Sequence, residues 1–456
     1  MRNPKGQVIG WALIGFVAVL ALCAGSFVVL KVLPPRDQSR VMQRLPAPVR
    51  QAVSNLLFPH PDSVPAPSEP VKNVSLLLTP AATRVPTLPP AVTPIVPSPT
   101  WSATPVIVPA DVPTIAPSPE PIVAAQDPIV IPTIHAPGPK QAARSTPASN
   151  EGINVLLTGA KQEYQLWNNC GPATLSMNLG FHGWTGSQVD AAKFLKPDQE
   201  DKNVSPDQMA EFARSAGFNV IQRVNGTPEL VKELLRAGVP VLIEKGFEPE
   251  DDLGWMGHYE LIVGYNDLKQ EFVAMDSYLG PYQSVPYDQF DQYWRQFNRT
   301  YLVIYPDDKA EQVTAIVGVQ LDDATMWAGS LATAQQEASA SPNDPFAWFN
   351  LGTSDVALQD WPNAAAAYDH ARQLGLPWRM TWYQFGWFDA YLRTGRYDDM
   401  LALTDATIKV TPNIEEMYYY KGLALKALGN HDAARSQFEL ALKYNPNFEP
   451  ARQALQ

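Results

Sequence analysis

The sequence predicts an α+β domain, helices first and an antiparallel sheet after them, followed by an all-α solenoid of helical repeats. Three observations carry this. Between Ile153 and Pro306, apolar residues first recur at helical spacing behind capping residues. They then give way to short β-branched and aromatic runs broken by turn residues, an α+β order. Beyond Leu321 the strand signals stop, and Pro342, Pro377, Pro412 and Pro446 recur every 34–35 residues.

The chain divides into segments 1–33, 34–150, 151–307 and 320–456. Residues Val8 to Leu30 form an apolar run without a charge, long enough to span a bilayer as a transmembrane helix. Leu22 precedes Cys23 where a lipoprotein site needs a small residue, so an uncleaved signal anchor is expected. Lys31, Arg36, Arg40, Arg44 and Arg50 follow the span and weigh toward a cytoplasmic body by charge. The very short N-terminal tail and the stalk-like segment weigh the other way, and the expectation is a single-pass membrane protein with an extracytoplasmic body. From Pro59 to Asn150 the chain is Pro-, Thr- and Ser-rich. Proline removes backbone donors and fixes φ, so this stretch is expected to be a disordered, polyproline-like stalk.

Helical patterns follow at Gly171–Gly180, Pro206–Ala216 behind Ser205, and Pro228–Ala237 behind Thr227. Strand patterns follow at Pro240–Glu244, His258–Tyr265, Glu271–Asp276 and Thr300–Tyr305. A helix from Asp322 to Ala338 precedes the repeats. Leu351-Gly352, Ala364, Tyr368 and Ala371 mark the first unit, and Gly422, Gly429, Ala434, Phe438 and Ala441 the third. The middle unit carries Met400 where a small residue is expected, and the aromatics Trp378, Trp382, Tyr383, Phe385 and Trp387. These units resemble the tetratricopeptide repeat, which implies a concave face that binds a protein partner. The repeats are expected to deliver substrate and to contribute no chemistry.

Composition narrows the function. A formal net charge of −12 disfavours a nucleic-acid partner. With two cysteines, one of them in the apolar N-terminal run, neither a disulfide scaffold nor a cysteine-based zinc site is available. No His/Asp/Glu cluster has metal-ligand spacing, so no metal or other cofactor is expected.

Cys170 stands apart from this background. It begins the string Cys170-Gly171-Pro172-Ala173-Thr174, where a helix start favours a thiolate. A thiol hydrolase also needs an imidazole, a group to orient it, and an oxyanion donor. His182 lies one helix length away, roughly 18 Å along the axis, and is assigned to the helix end. His258 opens a strand behind Gly254-Trp255-Met256-Gly257, and Asp276 ends the next strand. Asp267 is the rival for the orienting role, and it falls in the apparent hairpin turn. Gln165 is the candidate oxyanion donor, with Gln162 as the alternative.

Gln165, Asn169-Cys170-Gly171-Pro172-Ala173, Gly257-His258-Tyr259, Val263-Gly264-Tyr265 and Met275-Asp276 together resemble papain-superfamily peptidases related to bacteriocin-leader-processing domains. The resemblance implies a papain-like fold in which Cys170 is nucleophile, His258 base, Asp276 orienting acid and Gln165 oxyanion residue. It implies a peptide or protein substrate. Two other readings stay open: a catalytically idle peptidase-like domain in a binding or envelope-assembly protein, and another acyl transfer through a thioester, such as an amidase or transglutaminase.

Overall fold

A computed structural model describes residues 154–249 and 254–456, with 61–69, 74–79 and a few single positions between 41 and 71. The apolar run Val8–Leu30 and most of the Pro-rich stretch lie outside the described residues. Among the described residues no helix is long and apolar enough to cross a membrane.

One antiparallel sheet organises the α+β part. Its strands are β1 (Val155–Leu156), β2 (Asn219–Arg223), β3 (Val241–Phe247), β4 (Met256–Asn266), β5 (Glu271–Asp276), β6 (Gly280–Pro286) and β7 (Tyr301–Tyr305). Their order is β2-β7-β3-β4-β5-β6, with β1 paired to β4. Central strands β3, β4, β5 and β7 are buried along nearly their whole length, because helices cover both faces of the sheet. On one face lie α1 (Cys170–Phe181), α2 (Gln188–Leu195) and α3 (Pro206–Ser215), packed through Leu175, Leu179, Leu195 and Met209 onto Leu261, Val263 and Leu302. The other face takes α4 (Pro228–Arg236), α5 (Tyr287–Trp294) and α6 (Ala310–Val317), through Leu234, Trp294 and Val313 onto Ile243, Ile262 and Val303.

The α+β class and the antiparallel sheet agree with the sequence reading, but the order is less simple than helices first. Strand β2 sits between α3 and α4. It is an edge strand paired only with β7, and only Ile221 is buried, so it has no apolar run to announce it. The opposite edge, β6, contains Pro281 and Pro286. Proline is tolerated at an edge because no ladder donor is needed there.

Beyond α6 the chain is helical: α7 (Asp323–Ala340), α8 (Pro345–Ala357), α9 (Trp361–Leu374), α10 (Gly386–Arg393), α11 (Tyr397–Val410), α12 (Glu415–Ala427), α13 (His431–Tyr444) and α14 (Glu449–Ala454). Small residues set how closely paired helices approach. A Cβ on Gly352 would stand 2.9 Å from the Tyr368 ring, and one on Gly422 would stand 2.5 Å from the Phe438 ring. The helices do not stand apart from the sheet. Trp255 and Phe297 belong to the same apolar cluster as Trp348, Phe349 and Trp387. The described part of the Pro-rich segment also touches this helical body: Val64 and Leu77 are buried in that cluster, where a spacer free of contacts was expected.

Candidate active site

The site forms where the start of α1 meets the facing ends of β4 and β5. Antiparallel pairing puts His258 of β4 opposite Lys245 of β3, and Glu260 of β4 opposite Asp276 of β5. Asp276 Oδ2 lies 3.1 Å from His258 Nε2, and both side chains are buried. The other carboxylate oxygen accepts the backbone N–H groups of Tyr278 and Leu279 at 2.6 and 2.8 Å. With Nε2 turned to Asp276, Nδ1 is the ring nitrogen left for Cys170. Phe247 stacks on the His258 ring, with centroids 4.3 Å apart and planes 18° from parallel. A flat apolar lid of this kind keeps water from the His–Asp contact and fixes the ring plane.

The electrostatics favour an ion pair. Burial pushes the Cys170 thiol up, but the His258 hydrogen bond and charge, with backbone contacts from Tyr259 and Gly171, hold it below its usual value. Burial pushes His258 down, yet Asp276 and then Cys170 raise it to about 10. Burial likewise works against an ionised Asp276, and His258 and Lys245 outweigh it, so the carboxylate stays charged. Lys245 is itself held by Glu260 at 2.9 Å, a buried pair directly behind the histidine and its acid.

Cys170 is partly exposed and opens into a cleft lined by Asn168, Gly171, Lys202, Val204, Glu244, Gly257, His258, Tyr259 and Tyr383. The structure therefore brings Cys170, His258 and Asp276 together. It places Gln165 off the cleft wall: its amide oxygen accepts from the Ser277 hydroxyl at 2.9 Å. Gln162 donates to the Asp276 carbonyl at 2.8 Å and is also off the wall. His182 caps the far end of α1, and Asp267 pairs with Lys232 at 2.7 Å in the β4–β5 turn.

Three groups at this site escaped the sequence reading. Gln188, at the start of α2, accepts from Leu166 N and Asn169 Nδ2 and donates to Tyr164 O, which pins the loop leading to Cys170. Glu244 is 2% exposed, and burial, the largest effect on it, holds its carboxyl well above the usual range. The Tyr259 hydroxyl beside it gives its proton to Val204 O at 2.7 Å. The third is Tyr383, contributed by the helical part. A Cβ on Gly257 would stand 3.1 Å from the Tyr383 ring and 2.9 Å from Phe297 Cζ, so glycine beside His258 lets the tyrosine close the cleft. No spacing rule links Tyr383 to Cys170. Of the middle-unit aromatics, Trp387 is core and Tyr383 reaches the cleft.

The Peptidase_C39 like family matches residues 157–302, about a third of the chain. Among solved structures, a protein described as a C39-like peptidase from Bacillus anthracis aligns at 17% identity over 33% of this chain and 96% of its own, with a TM-score of 0.28. The peptidase domain of Streptococcus ComA, a bi-functional ABC transporter involved in a quorum-sensing pathway, aligns at 16% identity over 32% and 99%, with a TM-score of 0.26. No curated protein matches the chain. Residues 157–302 are thus similar to the C39-like peptidase family. Among the described residues no cluster of His, Cys, Asp and Glu is arranged to hold a metal ion.

Proposed function

We propose that this protein is a membrane-anchored cysteine peptidase whose Cys170–His258–Asp276 triad hydrolyses peptide bonds. The observation that supports it best is the buried His258–Asp276 contact beside a depressed, partly exposed thiol at a helix start. In this reading the Cys170 thiolate attacks the scissile carbonyl. The developing oxyanion meets the backbone N–H of Cys170 at the N-terminus of α1. Gln165 is the proposed side-chain donor to the same oxyanion, its NH₂ being the end that Ser277 leaves free to donate. His258 gives its proton to the leaving amine, and a thioester remains on Cys170. Water then attacks the thioester, His258 takes its proton, and the thiolate returns.

The helical pairs after α7 are proposed as tetratricopeptide repeats that recruit a protein substrate or partner. Val8–Leu30 is proposed as the anchor, with the body on the extracytoplasmic side. Labelling with an electrophilic thiol probe, joined to turnover of a peptide library, tests the catalytic reading. Wild type should label rapidly and cleave. His258→Ala should label at least about tenfold more slowly, because the thiolate loses its counter-ion, and Cys170→Ser should neither label in this domain nor cleave. Equal labelling of wild type and His258→Ala, with no cleavage by either, would mean an idle domain.

A further inference from the structure

The segment Pro61–Glu69 lies along the helical body as an extended peptide, and its contacts form a donor–acceptor pattern. Ser63 bridges Pro377 in antiparallel fashion, and Val64 N donates to Leu376 O at 3.0 Å. The Val64 side chain is 4% exposed. Arg372 then donates to two successive carbonyls, Nε to Pro65 O and Nη2 to Ala66 O, both at 2.9 Å. Asp399 accepts the Ser68 N–H at 2.9 Å on one oxygen and the Ser68 hydroxyl on the other. Arg372 and Asp399 are each 2% exposed and are joined to one another at 2.8 Å. Tyr391, Asp369 and the half-buried Arg396 complete a polar network with them.

This arrangement matches the chemistry of proline. Pro65 and Pro67 have no N–H, so the middle of the segment offers carbonyls, and a guanidinium that only donates suits them. The flanking N–H groups of Val64 and Ser68 meet a carbonyl and a carboxylate. Proline also keeps the free peptide extended, so little order is lost on docking. A second anchor follows: Gln335 Nε2 donates to Leu77 O and Thr79 O at 3.3 and 2.9 Å, and Leu77 is buried.

We propose that the groove formed by α9, Leu376-Pro377 and the start of α11 is a receptor for extended proline-rich peptides. The pattern it reads is apolar-Pro-small-Pro-hydroxyl, and this chain fills it in cis with Val64-Pro65-Ala66-Pro67-Ser68. The hydroxyl residue is selected by the Asp399 carboxylate and the apolar one by the buried Val64 site. The sequence contains a second stretch of the same order, Val96-Pro97-Ser98-Pro99-Thr100, which meets the same requirements as a rival occupant. Docking joins the N-terminal arm to the helical body well before the chain enters the thiol domain at residue 154.

The test uses the full chain in detergent, carrying an N-terminal tag and a sequence-specific protease site inserted after Pro90. After cleavage at micromolar concentration, the body should still co-purify with the tagged arm. Excess synthetic peptide spanning Ser63–Glu69 should displace it, and a peptide spanning Ile95–Trp101 should do the same. The double change Val64→Asp, Ser68→Ala lies in the arm alone and leaves the fold of the body untouched. It should lower retention by about tenfold or more, since it breaks a charge-assisted hydrogen bond and places a carboxylate in a closed apolar site. An arm that leaves at once in wild type overturns the proposal. So does an arm that stays bound when the double change is made in a chain already carrying Leu77→Asp, which removes the second anchor, since something other than this groove would then hold it.

Discussion

His258 is held by opposing forces, and each should be visible in a pH profile. Burial favours the neutral imidazole, and Asp276 with Cys170 raises it to about 10. Cys170 is depressed by the same contact, burial notwithstanding. Activity should therefore rise as pH climbs through the lowered thiol value, stay flat across neutrality, and fall as pH passes about 10, where the imidazolium loses the proton it must give the leaving amine. Asp276→Asn removes the charge that raises the histidine. The alkaline limb should then move to lower pH, and kcat/KM should drop roughly 10²- to 10⁴-fold. Measurement of kcat/KM against pH for both proteins checks this. An alkaline limb that stays in place would show that Asp276 does not govern the imidazole. Gly257→Ala tests the cleft wall beside the histidine. Its Cβ meets Phe297 Cζ at 2.9 Å and the Tyr383 ring at 3.1 Å, so Phe297 must shift and the tyrosine in the cleft wall must give with it. Turnover should fall with little change in pH profile, because the His–Asp contact is not involved.

At the scale of elements, the loop before α1 matters as much as the helix. Gln188 ties three groups of that loop, and it opens α2, a helix the sequence reading passed over although Ser187 and Asp190 form its capping box. Gln188→Ala should lower stability by about 2–3 kcal/mol, the range for several buried hydrogen bonds lost together, and slow thiol labelling as Cys170 loses its fixed position. Thermal melting and labelling rates read the two effects separately, and an unchanged labelling rate would show the loop to be held by other means. The strands that the sequence revealed are those it had to make apolar: β3, β4, β5 and β7 sit between two helical layers. The strands it hid, β2 and β6, lie at the edges, where half-buried polar residues and proline suffice. The capped helices were legible because Ser205 and Thr227 accept from Gln208 N and Leu230 N, a local matter settled within one turn. Cys170, His258 and Asp276 were legible because a helix start and neighbouring antiparallel strands have fixed geometry. Gln165 was placed by its spacing from Cys170 and by the family resemblance, and an irregular loop turns its amide oxygen to Ser277. Glu244 and Tyr383 come to the cleft by tertiary packing, which leaves no periodic trace.

The molecule as a whole does not divide into a cutting domain and a recruiting domain. Trp255, three residues before His258, packs in parallel against Phe297 with centroids 5.7 Å apart, and both lie in the core of the helical body. Arg379 donates to Trp255 O at 3.0 Å, and Asn350 donates to Arg295 O at 2.7 Å. The loop that brings Lys202 and Val204 to the cleft is held from the far side too. Asn203 donates to Glu416 at 3.1 Å and Asn413 to Asp198 at 3.1 Å. Removing residues 320–456 would expose two large aromatic rings, free the cleft loop and take away Tyr383. The helices were expected to contribute no chemistry, and they do lend the cleft one wall residue, Tyr383. Cleavage of even a small generic peptide should fall by about tenfold or more when they are deleted, since the groups that exclude water and position substrate are lost. Deletion alone confounds folding with catalysis, so Tyr383→Ala in the full chain isolates the wall. It should leave the circular dichroism spectrum and the helical core intact while lowering kcat/KM on the same peptide, and Tyr383→Phe should recover the part that is due to shape. If Tyr383→Ala cleaves small peptides as wild type does and the deletion protein stays folded and active, the helices serve only to recruit, and the shared wall has no part in the chemistry.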